Sequence, residues 1–278
     1  MTEQTKWYAP YSKDLEQRRN WYSNVAKAYD QARPRYPKEL ISRAVELAQL
    51  PADAIILEVG CGPGTATVEF AKLGFRVVCL EPSQSACFLA RQNCSQYPAV
   101  EIKNTTFEEW QLETEKFNAV IAASSFHWIA AEIRNPKAAA ALQNNGSLIL
   151  LWNKEPQPPY EVYQALNQVY QAQAPSLARY EDRETQSEIL KGLGENMINS
   201  DLFKGIVYEQ VACEVTYSID EYLMLLSTLS PYIALEPQKR NSLFDGLREV
   251  LERNCFISFQ CSYISGFHIG QKVYSFPS

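Results

Sequence analysis

Ala54-Ile55-Ile56-Leu57-Glu58-Val59-Gly60-Cys61-Gly62-Pro63-Gly64-Thr65 decides the architecture. Its first six residues are an apolar run, too short for a helix and rich in β-branched side chains, which is the pattern of a buried strand. Three glycines at alternate positions follow, and a helical pattern resumes over residues 65–73. A strand that turns through glycines into a helix offers backbone amides and a helix dipole to an anionic ligand, and the missing Cβ atoms let that ligand come close.

Working outward, the chain alternates. A strand over 75–80, a helix over 83–94, strands over 100–104 and 117–123, a helix over about 129–142 and a strand over 147–152 follow in turn. Such alternation implies parallel strands joined by right-handed crossovers. Upstream, residues 18–29 read as a short helix broken by Pro34 and Pro37, and residues 38–50 place Leu40, Ile41, Ala44, Val45, Leu47 and Ala48 at helical spacing before Pro51. Beyond Trp152 the rhythm changes. Pro156, Pro158 and Pro159 make a linker, and about fifty residues of helical pattern run to Phe203. A β-branched stretch over 206–217, helical stretches over 219–228 and 237–253, and an alternating closing strand or hairpin over 255–269 complete the chain.

Composition narrows the function classes. The 278 residues are 46% hydrophobic and 21% charged, an ordinary globular mixture with no low-complexity segment. A formal net charge of −6 provides no broad cationic surface for a phosphate backbone, so no nucleic-acid partner is expected. No stretch reaches the roughly 20 apolar residues of a membrane span, and the first residues hold no apolar run of signal-peptide length. The expectation is a cytoplasmic protein without a membrane partner. The seven cysteines, Cys61, Cys79, Cys87, Cys94, Cys213, Cys255 and Cys261, are odd in number and form no Cys-x-x-Cys pair, and the only histidines are His127 and His268. Neither a disulfide framework nor a metal site is expected.

The glycine spacing discriminates among ligands. Gly64 falls one position earlier than the dinucleotide fingerprint requires, which disfavours NAD and FAD, and the turn lacks the lysine of a phosphate-binding loop. Glu81 ends the next strand at Leu80-Glu81-Pro82, about twenty residues beyond the turn, where a carboxylate accepts both hydroxyls of a ribose. Its bland alternative is an exposed helix cap. Turn and acid in register favour a nucleoside ligand without bound phosphates.

With these residues, the chain resembles the class I S-adenosylmethionine (SAM)-dependent methyltransferases, and more closely the small-molecule group that includes trans-aconitate methyltransferases. The resemblance also rests on Tyr29-Asp30 and Arg33-Pro34-Arg35-Tyr36-Pro37, on Thr106-Phe107-Glu108-Glu109-Trp110, and on Phe126-His127-Trp128. It covers about residues 20–152 well and the remainder loosely. It implies that Glu58, Gly60, Cys61, Gly62 and Gly64 hold the methionine end of SAM, with Glu58 acting through the turn. Glu81 with Pro82 would hold the ribose, Thr106 and Phe107 would cover the adenine, and Ser124 would lie beside the cofactor. Tyr29, Arg33 and Tyr36 resemble the family's amino-terminal cover.

Phe126-His127-Trp128 lies at the carboxyl end of the fourth strand, where ligands of open α/β sheets bind. His127 is therefore a candidate base toward the acceptor, Phe126 and Trp128 are candidate pocket walls, and Arg35, like Arg33, is a candidate partner for an acceptor carboxylate. A histidine between aromatics is also a common packed wall residue, and either arginine is equally suited to a surface ion pair.

The expected fold is a Rossmann-like, doubly wound, seven-stranded α/β sheet, mostly parallel with the last strand antiparallel, in three αβα layers. The core spans about 38–152 plus 206–278, residues 1–37 form an amino-terminal cover, and 153–205 form a helical insertion. Residues 218–253 join the cover and insertion as a lid. The expected activity is methyl transfer from SAM to a small molecule, a carboxylic acid being one candidate. The rivals are a SAM-binding protein without transferase activity and, disfavoured by the glycine spacing, a nicotinamide oxidoreductase.

Overall fold

The computed structural model describes residues 15–198, 201–254 and 257–273. Strands β1 (Ile55–Val59), β2 (Arg76–Leu80), β3 (Val100–Lys103), β4 (Phe117–Ala123), β5 (Leu142–Asn153), β6 (Phe203–Ser218) and β7 (Ser258–Lys272) form one sheet in the order β3-β2-β1-β4-β5-β7-β6. Neighbours from β3 to β5 are parallel, and β7 inserts antiparallel between β5 and β6, for example with Leu150 opposite His268. The expected mostly parallel sheet with an antiparallel last strand is the one observed.

The pleat sorts the core. Ile56, Val77, Cys79, Ala119, Ile121, Ile149 and Leu151 face α3 (Lys38–Leu47), α4 (Thr67–Lys72) and α5 (Gln84–Asn93). Their sequence neighbours Leu57, Val78, Leu80, Val120, Ala122, Leu148 and Leu150 face α6 (Ala131–Ala141) and α8 (Arg183–Ile198). Alternation between two buried faces is why these strands read as continuous apolar runs.

The lid has a structural foundation. Because β7 pairs with β5 only up to Asn153–Ser265, the remaining β6–β7 pairs, from Ala212–Ile264 to Ser218–Ser258, project beyond the carboxyl ends of the parallel strands. Tyr217, Phe259 and Cys261 on this ribbon carry a third apolar cluster built from α7 (Tyr160–Gln173), α9 (Ile219–Ser227), α10 (Ser230–Ile233) and α11 (Pro237–Arg253). A Ser218–Glu221 capping box starts α9 at the ribbon's end.

Several boundaries differ from expectation. The helix expected over 18–29 is α1 (Leu15–Asn20), a 3₁₀ turn over Ser23–Val25 and α2 (Ala26–Ala32). The break lets Trp21 and Tyr22 both reach Ser230 Oγ, at 3.2 and 2.7 Å. The strand expected over 147–152 begins at Leu142, and a register shift against β4 between Phe117 and Ala119 separates that start from the pairing that resumes at Ser147. The closing strand or hairpin is a single strand from Ser258, and Cys255 lies outside the described residues.

Candidate active site

The turn after β1 holds Gly60, Gly62 and Gly64 at φ of +67°, +55° and +86°. Its course is fixed from β2, whose Leu80 carbonyl accepts from Gly60 N at 2.8 Å and Cys61 N at 3.2 Å. At Gly60 an added Cβ would stand 2.8 Å from Ser125 Cβ, so both backbone sign and space demand glycine there.

Glu81 closes the cradle. Its Oε2 accepts from Gly62 N and its Oε1 from Ser83 N, both at 2.8 Å, so one carboxylate ties the turn to the start of α5. Burial pushes its pKa up to about 7 against the pull of those two amides. Glu58 lies underneath, fully buried. Thr67 Oγ1 donates to its Oε2 at 2.5 Å, while its buried Oε1 has no hydrogen-bond partner among the described residues. Burial raises the Glu58 pKa to about 8, against the Thr67 hydrogen bond. Glu58 therefore meets the turn through α4 and lines neither of the cavities above it.

A cavity of about 230 Å³ opens at the carboxyl ends of β1, β2, β4 and β5. Of the residues singled out in the sequence, Tyr29, Arg33, Gly60, Gly62, Glu81, Pro82, Thr106, Phe107, Ser124, His127 and Trp128 line it. Tyr36 and Cys61 line a smaller adjoining cavity of about 50 Å³, whose wall also includes Arg33, Ser124 and Lys154. Ser124 stands at φ +55°, an uncommon conformation for a non-glycine residue, held by its N–H on Leu151 O at 2.8 Å and contact with Tyr36 Oη at 3.1 Å.

Besides Glu58, three of the singled-out residues lie elsewhere. Gly64 packs against α5, where an added Cβ would be 3.3 Å from Cys94 Sγ, so it serves close helix packing. Arg35 is turned outward, bonded to Asp30 Oδ1 at 2.8 Å and Thr65 Oγ1 at 3.1 Å, and does not reach the acceptor space expected of it. Phe126 is fully buried in the core and is no pocket wall, because the 3₁₀ turn Phe126–Trp128 points its first ring inward and leaves His127 and Trp128 to the cavity.

Sequence reading missed Tyr22, Trp152, Asn153, Lys154, Glu155, Ser230 and Pro231, all in the main cavity wall. Trp152 and Asn153 end β5, so the strand-end rule applied to His127 would have found them. Nothing local marks Ser230.

The electrostatics of the wall are uneven. Lys154 and Glu181, both almost fully buried, pair at 2.8 Å, and Arg179 joins Glu181 at 2.8 Å and Glu155 at 3.3 Å. Arg33 is different. Its Nε donates to Thr228 Oγ1 at 2.8 Å and one terminal nitrogen to Thr228 O at 2.9 Å, its guanidinium lies over Tyr29, and no carboxylate of the described residues stands at ion-pair distance. Burial, and secondarily Arg134, lower the His127 pKa to about 3, so its ring is neutral at ordinary pH and a weak base.

The amino-terminal segment closes the cavity over Glu81 and Trp128. Ser23 Oγ meets Ser83 Oγ at 2.9 Å, and the Tyr22 ring sits edge-on to Trp128 with centroids 5.4 Å apart. Among the described residues, no group of three or more His, Cys, Asp or Glu is placed to hold a metal ion, and no helix is long and apolar enough to cross a membrane.

Comparison with known proteins agrees with this geometry. Residues 56–146 match the methyltransferase domain family. An uncharacterized methyltransferase of Mycobacterium bovis is 31% identical over 133 residues, 48% of this chain and 51% of that protein. The ribosomal RNA small subunit methyltransferase A of Thermotoga maritima is 35% identical over 68 residues, 24% of each chain. The chain thus spans about half or less of the length of these curated relatives. The solved structure described as a type II methyltransferase from Anaeromyxobacter dehalogenans superposes with a TM-score of 0.62 at 20% identity, covering 86% of this chain and 97% of that one, a likeness of fold. None of these relatives singles out the trans-aconitate group. The glycine turn, the sheet order and the matched segment together make residues 56–146 similar to the methyltransferase domain family, within a fold shared with the Anaeromyxobacter structure.

Proposed function

We propose that the protein transfers the methyl group of SAM to a small acceptor whose nucleophile is already deprotonated, a carboxylate in first place. The observation that carries this reading is one cavity joining the positive-φ glycine turn, the buried Glu81 carboxylate and the Arg33 guanidinium.

The residues fit the cofactor. Space at Gly60 exists only without a Cβ, and Glu81 offers a buried carboxylate to a diol. Bound there, SAM supplies a sulfonium whose methyl carbon is electrophilic. Thr106 and Phe107 flank the cavity beside Glu81, the place of an adenine. Arg33 and Lys154, in the wall shared by both cavities, suit an anionic group, whether the cofactor's own carboxylate or the acceptor's. His127, held neutral and weakly basic, is poorly matched to removing a proton, which favours an acceptor that needs none removed. Alignment and exclusion of water by Tyr22, Trp128 and Trp152 then provide the remaining catalysis.

The test is a thermal-shift series with SAM, S-adenosylhomocysteine, NAD and ATP, followed by transfer of labelled methyl to a panel of carboxylic acids, an RNA pool included as a competing acceptor. Stabilisation by the two SAM-type ligands alone is expected, since a ligand that binds only the folded state raises its stability. Glu81→Ala should weaken SAM binding by about 1–3 kcal/mol in titration calorimetry. Absence of a shift with either SAM-type ligand overturns the cofactor reading, and label on RNA alone overturns the acceptor.

A further inference from the structure

Arg33 reaches the cavities from the end of α2, yet what holds its guanidinium belongs to the lid. Thr228 caps the carboxyl end of α9, is fully buried, and lines neither of the two cavities that Arg33 lines. Its hydroxyl donates to Leu225 O at 2.6 Å, so its proton is committed and an oxygen lone pair is left for the Arg33 Nε–H at 2.8 Å. Its carbonyl accepts from Arg33 Nη2 at 2.9 Å. Tyr217, at the end of β6 just ahead of α9, donates its hydroxyl to Ala32 O at 2.8 Å and so fixes the residue before the arginine. The Tyr29 ring covers one face of the guanidinium, with its centroid 4.9 Å from Cζ.

Carbonyls at the carboxyl end of a helix steady a cation without cancelling its charge. A carboxylate would cancel it. Glu155 feels the Arg33 charge, but it is bonded to Arg179 at 3.3 Å. Arg33 therefore keeps its positive charge on the cavity wall, and among the described residues its Nη1 has no hydrogen-bond partner. Because a guanidinium is planar and rigid, fixing Nε and Nη2 fixes the direction of Nη1 as well. A carboxylate entering the cavity meets a donor whose ordering has already been completed.

We propose that Thr228 is a positioning residue: through its two bonds to Arg33 it presents an unneutralised guanidinium to a carboxylate bound in the cavity. The lid thereby governs carboxylate recognition without touching the ligand. The proposal rests on the methyl-transfer reading for the source of that carboxylate, the methionine end of the cofactor or the acceptor.

Thr228→Val keeps the shape and the carbonyl of this residue and removes its hydroxyl. Leu225 O retains the Thr228 N–H at 3.1 Å, so the change strands the Arg33 Nε alone. Calorimetry on the full chain compares S-adenosylhomocysteine with methylthioadenosine, the same nucleoside thioether without the amino-acid carboxylate. Ligand-observed NMR follows benzoate on the chain saturated with S-adenosylhomocysteine. Thr228→Val should weaken at least one of the two carboxylates about tenfold, the value of a hydrogen bond to a charged group, and leave methylthioadenosine unchanged. A loss for S-adenosylhomocysteine assigns the cofactor as the source, and a loss for benzoate alone assigns the acceptor. Thr228→Ser should restore the affinity, and in an Arg33→Ala background Thr228→Val should cost nothing further. Equal weakening of S-adenosylhomocysteine and methylthioadenosine, a loss that persists in the Arg33→Ala background, or unchanged S-adenosylhomocysteine with benzoate unchanged or unbound overturns the proposal. If circular dichroism shows Thr228→Val unfolded, Arg33→Ala decides, and unchanged affinity there for both carboxylates refutes it. Should neither nucleoside bind the wild type, the methyl-transfer reading falls, and benzoate on the unliganded chain decides the role of Thr228: binding weakened by Thr228→Val sustains it, and equal or absent binding overturns it.

Discussion

Replacing Glu58 by Gln should convert a strongly pH-dependent stability into a weaker one. Folding raises the Glu58 pKa from 4.5 to about 8, chiefly by burial, with the Glu81 charge adding to the rise and Thr67 and Cys79 opposing it. A carboxyl whose folded pKa is raised is fully stabilising below its unfolded pKa and loses that contribution as pH climbs through the folded value. The window is therefore pH 4.5 to about 8. At about 1.4 kcal/mol for each tenfold change in proton affinity, the loss across it approaches ~5 kcal/mol. Gln cannot ionise, yet its amide oxygen can still accept from Thr67 Oγ1, so below pH 4.5 the two proteins should differ by only about 1 kcal/mol. Glu81, raised to about 7, titrates over much of the same window in both proteins, so the difference between them reports Glu58 together with its coupling to Glu81. Urea unfolding at half-unit steps from about pH 4 to pH 9 reads that difference directly, with m checked for constancy. The Glu58→Gln variant should overtake the wild type near neutrality. A difference that stays flat within ~1 kcal/mol across the series would refute the reasoning, because Glu58 would then ionise normally in the fold.

Gly60→Ala, which puts a Cβ 2.8 Å from Ser125 Cβ at φ +67°, should abolish SAM binding in calorimetry while leaving the circular dichroism spectrum native. Retained binding would remove this turn from the cofactor site. His127→Phe should leave the shape of the pH–rate profile above about pH 5 unchanged, because a ring with pKa about 3 carries no proton there; loss of an acid-side limb in that range would reinstate His127 as the base. Lys154→Met strands a buried Glu181 carboxylate and should cost about 3 kcal/mol, the low end for a broken buried pair because Arg179 remains on Glu181. The double variant Lys154→Met with Glu181→Gln should recover most of the loss in thermal unfolding.

The α/β alternation, the first strand, the glycine turn and the acid at the end of β2 were legible in sequence because each is a local property. Strand periodicity, backbone sign at glycine and the spacing of Glu81 need no knowledge of distant residues. Helix α11 was bounded at both ends by its own pattern. Arg35 and Phe126 were misplaced for the opposite reason: each sits one or two residues from a true cavity residue, and side-chain direction in a short turn depends on what packs against it. Asp30 holds Arg35 outside, and the core takes Phe126.

Sequence alone therefore carried the elements on which the proposed cofactor site rests, since strand, turn and acid lie within about thirty contiguous residues. Tertiary structure alone decided who meets whom across the cleft. The β6–β7 ribbon outruns β5 and raises a helical lid over the strand ends. It thereby brings Thr228 to Arg33 and Ser230 to Tyr22 from 195 and 208 positions away in the chain, and sets Pro231 in one wall with Glu155. Such pairings are selected by burial and hydrogen bonding in the assembled fold, and no local periodicity records them.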